Sequence, residues 1–147
     1  MVANMLHYHN PKTGLEGKFC QEYCLALALM HGRVSIGHFS DERVSNSNIK
    51  KLIKKTTVEF KDFAKEVGEH TFPAEVTIVM NSGEKYHCRI DNSKGSPDNP
   101  MSLIELKKKY SECASYVLSD TKIGQSMELI ESPESCSSLD ILMNLLS

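Results

Sequence analysis

The sequence predicts an α+β fold, with a small antiparallel sheet of three strands (or slightly more) and helices packed on one face. Three observations predict it. Two runs of alternating apolar residues flank the turn signal Asn81-Ser82-Gly83-Glu84. Stripes at helical spacing occupy both ends of the chain. Apolar residues make up 40% of the 147 positions, enough to bury a core of ordinary size.

Residues 1–17 read as an extended lead-in that closes on the turn signal Lys12-Thr13-Gly14. A helix is expected from Glu16 or Lys18 to Met30 or His31, with Gly32 as its carboxy-terminal cap. Phe19, Tyr23, Ala26, Leu27 and Met30 follow helical spacing, and Leu25 and Leu29 make the helix apolar on most sides. Such a helix is expected in the centre of the structure. Val34 to Arg43 is irregular. Asn46 or Ser47 can cap a second helix over Asn48 to Lys55, with Ile49, Leu52 and Ile53 on one face.

Thr57 to Lys61 alternates and predicts a first strand, with Val58 and Phe60 inward. Asp62 to Thr71 is polar and reads as a loop. Ala74 to Met80 and Lys85 to Asp91 form the hairpin, with Val76, Ile78, Tyr86, Cys88 and Ile90 inward, facing the helix that holds Tyr23 and Leu27. Asn92 to Pro100 is a connection rich in Gly, Pro, Ser and Asn. Ser102 and Glu105 form a capping box that opens a helix to about Leu118. Another runs from Thr121 to Glu131 and is broken by Pro133. A last one, capped by Ser137 or Ser138, reaches Leu146.

Charge excludes some functions. There are 17 Lys and Arg against 19 Asp and Glu, a net charge of -2, so no basic excess exists to neutralise phosphates, and no nucleic-acid partner is expected. The longest apolar run, Tyr23 to Met30, falls far short of the ~20 residues that span a bilayer. Met1 to Asn10 lacks the basic flank and apolar stretch of a signal peptide, so no membrane partner and a cytoplasmic location are expected. Cys20 and Cys24 stand one helical turn apart without a second ligand pair nearby. Reduced, buried thiols are expected, with no metal site and no cofactor.

Three blocks carry a family resemblance. Pro11-Lys12-Thr13-Gly14-Leu15-Glu16-Gly17-Lys18-Phe19-Cys20-Gln21-Glu22-Tyr23 resembles a Pro-Thr-Gly stretch, a Lys-Phe-Ser block and a tyrosine on an apolar helix, with Cys20 where serine is usual. Gly32-Arg33-Val34, then Phe39, Asp41 and Val44, is similar to the link that follows. Gly95-Ser96-Pro97-Asp98-Asn99-Pro100-Met101-Ser102, then Lys109-Tyr110, resembles a Gly-x-Pro-x-Asn-Pro-Leu-Ser turn and its helix, with Met101 for leucine and Tyr110 for phenylalanine. On these blocks the chain resembles the carboxy-terminal portion of the MmgE/PrpD lyases, the family of 2-methylcitrate dehydratase and cis-aconitate decarboxylase.

The resemblance implies a lid-like α+β domain over residues 1–97, followed by helices over 98–147 that return to a large helical domain. It implies a small di- or tricarboxylate substrate in the cleft between the two domains, and a homodimer. The family's principal catalytic residues lie mostly upstream, so none is assigned here and the isolated chain is expected to be inactive. A binding or regulatory module that kept the lid fold is the alternative. Without the helical domain, the helices after Pro100 are expected to self-associate or to remain partly mobile.

Tyr8, Lys18, Tyr23, Arg89 and Lys94 are the candidates for substrate binding. Cations and hydroxyls are what hold carboxylates. Each also has a structural reading. Tyr8 with His9 lies in a lead-in that could simply fray. Lys18 could solvate a helix start, and Tyr23 could be core. Arg89, beside His87, could sit on a solvated strand face. Lys94 with Gly95 could mark a crossing between domains.

Overall fold

The computed structural model describes residues 6–61, 63, 73–135 and 137–147. The loop read at Asp62 to Thr71 lies outside the described residues, Phe63 apart. The chain divides into two compact units, Met1–Asp62 and Phe63–Ser147. Among the described residues the class is α+β, with seven α-helices and one two-stranded antiparallel sheet.

The first unit begins with α1 (Gly14–Lys18) and α2 (Gln21–His31), where the sequence predicts one continuous helix and an extended lead-in to residue 17. Two caps account for the difference. Thr13 Oγ1 accepts from the Glu16 N–H at 3.2 Å and starts α1 early. Cys20 Sγ then accepts from the Tyr23 N–H at 3.4 Å and starts α2 afresh. A sulfur thus performs the capping that a serine hydroxyl commonly supplies. Gly32, at φ 69, ends α2 in the left-handed region that glycine enters without strain.

The stretch read as irregular holds a 3-10 turn, Ile36–His38, and a short α3 (Asp41–Val44) opened by Ser40. Asn46 caps α4 (Ser47–Ile53) by accepting from the Asn48 and Ile49 N–H groups. Cys20, Tyr23, Ala26, Leu27, Val44 and Ile49 form the core, with Tyr8, Phe39, Leu52 and Ile53 against it. Only one side of α2 is buried. Leu29 and Met30 are exposed, so the helix is not enclosed as its composition predicts.

Two glycines allow this packing. A Cβ on Gly14 would lie 1.9 Å from the Phe39 carbonyl oxygen, and one on Gly17 would press on the Tyr23 ring at 3.1 Å. The Gly14 N–H also donates to Asp41 Oδ1 at 2.7 Å, which draws α1 onto α3.

The second unit starts with the hairpin β1 (Ala74–Val79) and β2 (Lys85–Ile90). Its register pairs Val76 with Cys88, Ile78 with Tyr86 and Glu75 with Arg89. The predicted third strand is not confirmed: residues 57–61 form no strand, and Phe60 is exposed. The predicted inward face is also only partly covered. Val76 and Ile78 are half-buried, but Tyr86, Cys88 and Ile90 are exposed. Tyr23 and Leu27 belong to the first unit's own core.

A tight turn follows the hairpin. Gly95 has φ 94, its N–H donates to the Asn99 carbonyl at 2.8 Å, and the Asn99 side chain donates to the Asn92 carbonyl at 2.9 Å. Helix α5 (Leu103–Ala114) then opens on the predicted Ser102–Glu105 capping box and ends a turn earlier than its stripe predicts. It pairs with α6 (Asp120–Glu131) through Tyr110 and Ser126, whose oxygens lie 2.7 Å apart, and through a Lys107–Glu131 ion pair. A 3-10 turn at Pro133–Ser135 leads to α7 (Leu139–Leu145). No helix among the described residues is long and apolar enough to cross a membrane.

The Gly14 contact yields a stability prediction. The atom in the way is a backbone oxygen, which cannot swing aside as a side-chain tip can. Gly14→Ala should cost about 1–3 kcal/mol or more, read as a lower urea midpoint. An unchanged midpoint would show that the Phe39 carbonyl is not seated against Gly14.

Candidate functional site

The first unit concentrates ionisable groups around the start of α2. Glu22 lies in the first turn, one helical turn before the buried Ala26, and is itself buried at 6% exposure. Its Oε1 is 2.6 Å from His9 Nδ1. Its Oε2 accepts from the Cys20 thiol at 3.5 Å. Burial works to raise the Glu22 carboxyl. The hydrogen bonds from His9, from its own backbone N–H and from Cys20 outweigh burial and hold it below the usual carboxylate range. Burial also pushes the Cys20 thiol up to about 11, so it is a thiol and a donor at neutral pH.

Tyr23, next on the helix, is fully buried. Its hydroxyl donates to the His38 carbonyl at 2.6 Å, and its ring meets Phe39 with centroids 5.9 Å apart. Tyr8 is half-buried, its N–H donating to the Phe19 carbonyl at 3.3 Å. Lys18 is exposed at the last turn of α1. Tyr8, Lys18 and Tyr23 therefore belong to one unit and one short stretch of surface and core.

The other two candidates belong to the second unit. Arg89 is half-buried and bridges two carboxylates, Glu75 at 3.3 Å across the hairpin and Asp91 at 2.7 Å. Its guanidinium also lies 5.1 Å from the centre of the Phe63 ring. On the same sheet face, Thr77 Oγ1 and His87 Nδ1 are 3.0 Å apart. Lys94 pairs with Glu105 at 3.1 Å. The Ser102 backbone N–H and hydroxyl, then Lys94, pull the Glu105 carboxyl down to about 2. Lys94 thus ties the Gly95–Pro100 turn to the start of α5.

Glu22 is absent from the sequence-derived candidates. In the chain it reads as part of a polar Gln-Glu start to an apolar helix. Its spacing from Ala26 is the signal that places it on the inward face. Cys20 is legible only as a small residue, and its two hydrogen bonds need the fold. Among the described residues no group of three or more His, Cys, Asp and Glu could hold a metal ion. What the cluster does hold is one ionised carboxylate in low-dielectric surroundings, with an imidazole fixed at its edge.

The buried carboxylate makes stability depend on pH. The folded-state pKa of Glu22 lies below the ordinary 4.5, so its contribution is present above that value and lost as pH falls through the folded one. Glu22→Gln should lower stability at neutral pH by about 1–3 kcal/mol and flatten the acid limb of urea midpoint against pH. An acid limb as steep as the wild type's would assign it to other carboxyls.

The sequence profile of the MmgE/PrpD C-terminal domain matches residues 2–132. Curated relatives include a cis-aconitate decarboxylase of Mus musculus, 22% identical over 136 residues, which covers 92% of this chain and 28% of the relative. Another is a cis-aconitate decarboxylase-like protein, oryM, of Aspergillus oryzae. It is 26% identical over 138 residues, covering 93% of this chain and 28% of the relative. The chain thus spans little more than a quarter of the length of these relatives.

Proposed function

The chain belongs to the MmgE/PrpD family, through its carboxy-terminal domain, and from this premise we propose that it is part of a lyase acting on small di- and tricarboxylates. One observation carries the reading: the domain match spans residues 2–132, and both relatives are named for cis-aconitate decarboxylation or likeness to it. Decarboxylation of cis-aconitate is therefore the first activity to test, with dehydration of 2-methylcitrate beside it. A cytoplasmic site of action accompanies this reading.

The reaction asks two things of the protein. Carboxylates must be held by cations or hydrogen-bond donors, and a proton must move at a carbon beside one of them. Lys18, exposed at the end of α1, is the cation we assign to a substrate carboxylate, with Tyr8 beside it in the same unit. Tyr23 lies in the core against which Tyr8 packs. Arg89 and Lys94 already hold carboxylates of the chain, so their contribution is to shape the hairpin and the turn. The rest of the cleft would come from a helical domain of the kind the family resemblance implies.

The test is complementation. The purified chain is assayed alone and with the remainder of the murine relative, standing in for the helical domain that the family resemblance implies, on cis-aconitate, 2-methylcitrate and citrate. The expected result is no turnover above buffer by the chain alone, and carbon dioxide release or dehydration with the domain present. Turnover by the chain alone would sink the requirement for a second domain. Tight binding of the domain without turnover of any of the three acids would favour a non-catalytic binding module.

A homodimer belongs to the same proposal. Leu103, Ile104, Leu106 and Val117, around α5, and Leu139 and Met143 on α7 are exposed. Each such side chain forfeits roughly 1.5–3 kcal/mol relative to burial, and a patch of this kind attracts another apolar surface. Light scattering should give the mass of two chains at high micromolar concentration, and Leu139→Asp should reduce it. A mass of one chain throughout would remove the dimer from the proposal.

A further inference from the structure

Glu22 and His9 have opposite exposures. The Glu22 side chain is 8% exposed and that of His9 is 71% exposed. Both carboxylate oxygens have partners inside the unit, the His9 ring through Oε1 and the Cys20 thiol through Oε2. An ionised carboxylate only accepts hydrogen bonds, so the Nδ1 atom that faces it at 2.6 Å carries the proton. The other ring nitrogen, Nε2, is then the one that the carboxylate does not engage. A simple tether for the lead-in would not need this arrangement. A neutral glutamine or serine would hold the backbone near residue 9 without the desolvation cost of a buried charge. A carboxylate that fixes the tautomer and direction of an accessible imidazole is the arrangement that proton-transfer sites use.

We propose that His9 carries the proton of the lyase reaction on Nε2, with Glu22 as its positioning residue; the assignment rests on the lyase reading above. In a decarboxylation, the bond between the substrate carbon and its carboxylate carbon breaks, and carbon dioxide leaves. The electron pair stays on the substrate carbon. The Nε2 proton of the His9 imidazolium moves to that carbon, and the N–H pair returns to the ring. The ring is then neutral, with its proton on Nδ1 toward Glu22. Water on the exposed side returns a proton to Nε2, so one proton is consumed per carbon dioxide released.

The test uses the chain assembled with the remainder of the murine relative, as in the complementation above. His9→Asn keeps an amide N–H near the Nδ1 position for Glu22 but has nothing at Nε2. It should lower kcat by about 10²–10⁴-fold with little change in KM, the range expected when a general acid is lost. Glu22→Gln should lower kcat less. Nitrogen NMR should show the neutral His9 ring protonated on Nδ1 in the wild type and shifted toward the Nε2 tautomer in Glu22→Gln. Wild-type kcat in His9→Asn, or a wild-type ring protonated on Nε2, overturns the role of His9 and leaves the lyase reading intact. No turnover by the wild-type assembly overturns the lyase reading and this role with it.

Discussion

The first unit depends on the burial of Tyr23. A tyrosine can be enclosed completely only if its hydroxyl finds a partner, and the His38 carbonyl supplies one at 2.6 Å. That bond draws the link after α2 back over the helix. Phe39 then lies against the ring, and its carbonyl sits on Gly14. Gly17 leaves room for the edge of the ring. The Tyr23 N–H is held by Cys20 Sγ, so the same residue also fixes where α2 begins. The block from Pro11 to Tyr23 is thus a set of contacts around one side chain, and Pro11, Gly14 and Gly17 are all buried in it.

Glu22 is the exception within this apolar setting. A charge in the interior survives only where hydrogen bonds replace its water. Here an imidazole, a thiol and a backbone N–H do so. The Cys20 thiol acts twice, accepting from Tyr23 and donating to Glu22. One small side chain therefore couples the capping of α2 to the ionisation of the residue two positions on. The surface consequence is that His9 is held in one orientation although most of it is in solvent.

The second unit relies on polar connections more than on a core. Glu105 closes the capping box, accepts from Ser102 and takes Lys94. Arg89 bridges the hairpin to Asp91. Beyond Ala114 and Ile123, large apolar side chains of this unit are mostly half-buried or exposed. The stripes are well formed as stripes, with suitable caps at Ser102, Ser119 and Ser138. Among the described residues of their own unit, they lack a full covering surface.

By itself the sequence determined the local elements. Ser102-x-x-Glu105, Asn46, Gly32 and the Asn81–Glu84 turn act through neighbours a few residues away, so capping and turn chemistry are legible in the chain. The family resemblance was legible for the same reason, because its blocks coincide with the turn at Gly95 and the glycines under Tyr23. The tertiary structure alone decided which apolar faces are buried. Alternation at Val58 and Phe60 carries no information on whether a partner strand exists, and that of Tyr86, Cys88 and Ile90 none on whether anything covers them. It also decided the candidate site. His9 and Glu22 are 13 positions apart, and no local rule brings an imidazole to a carboxylate across that distance. Only the break between α1 and α2, and the burial of the residues around it, places the two side chains together.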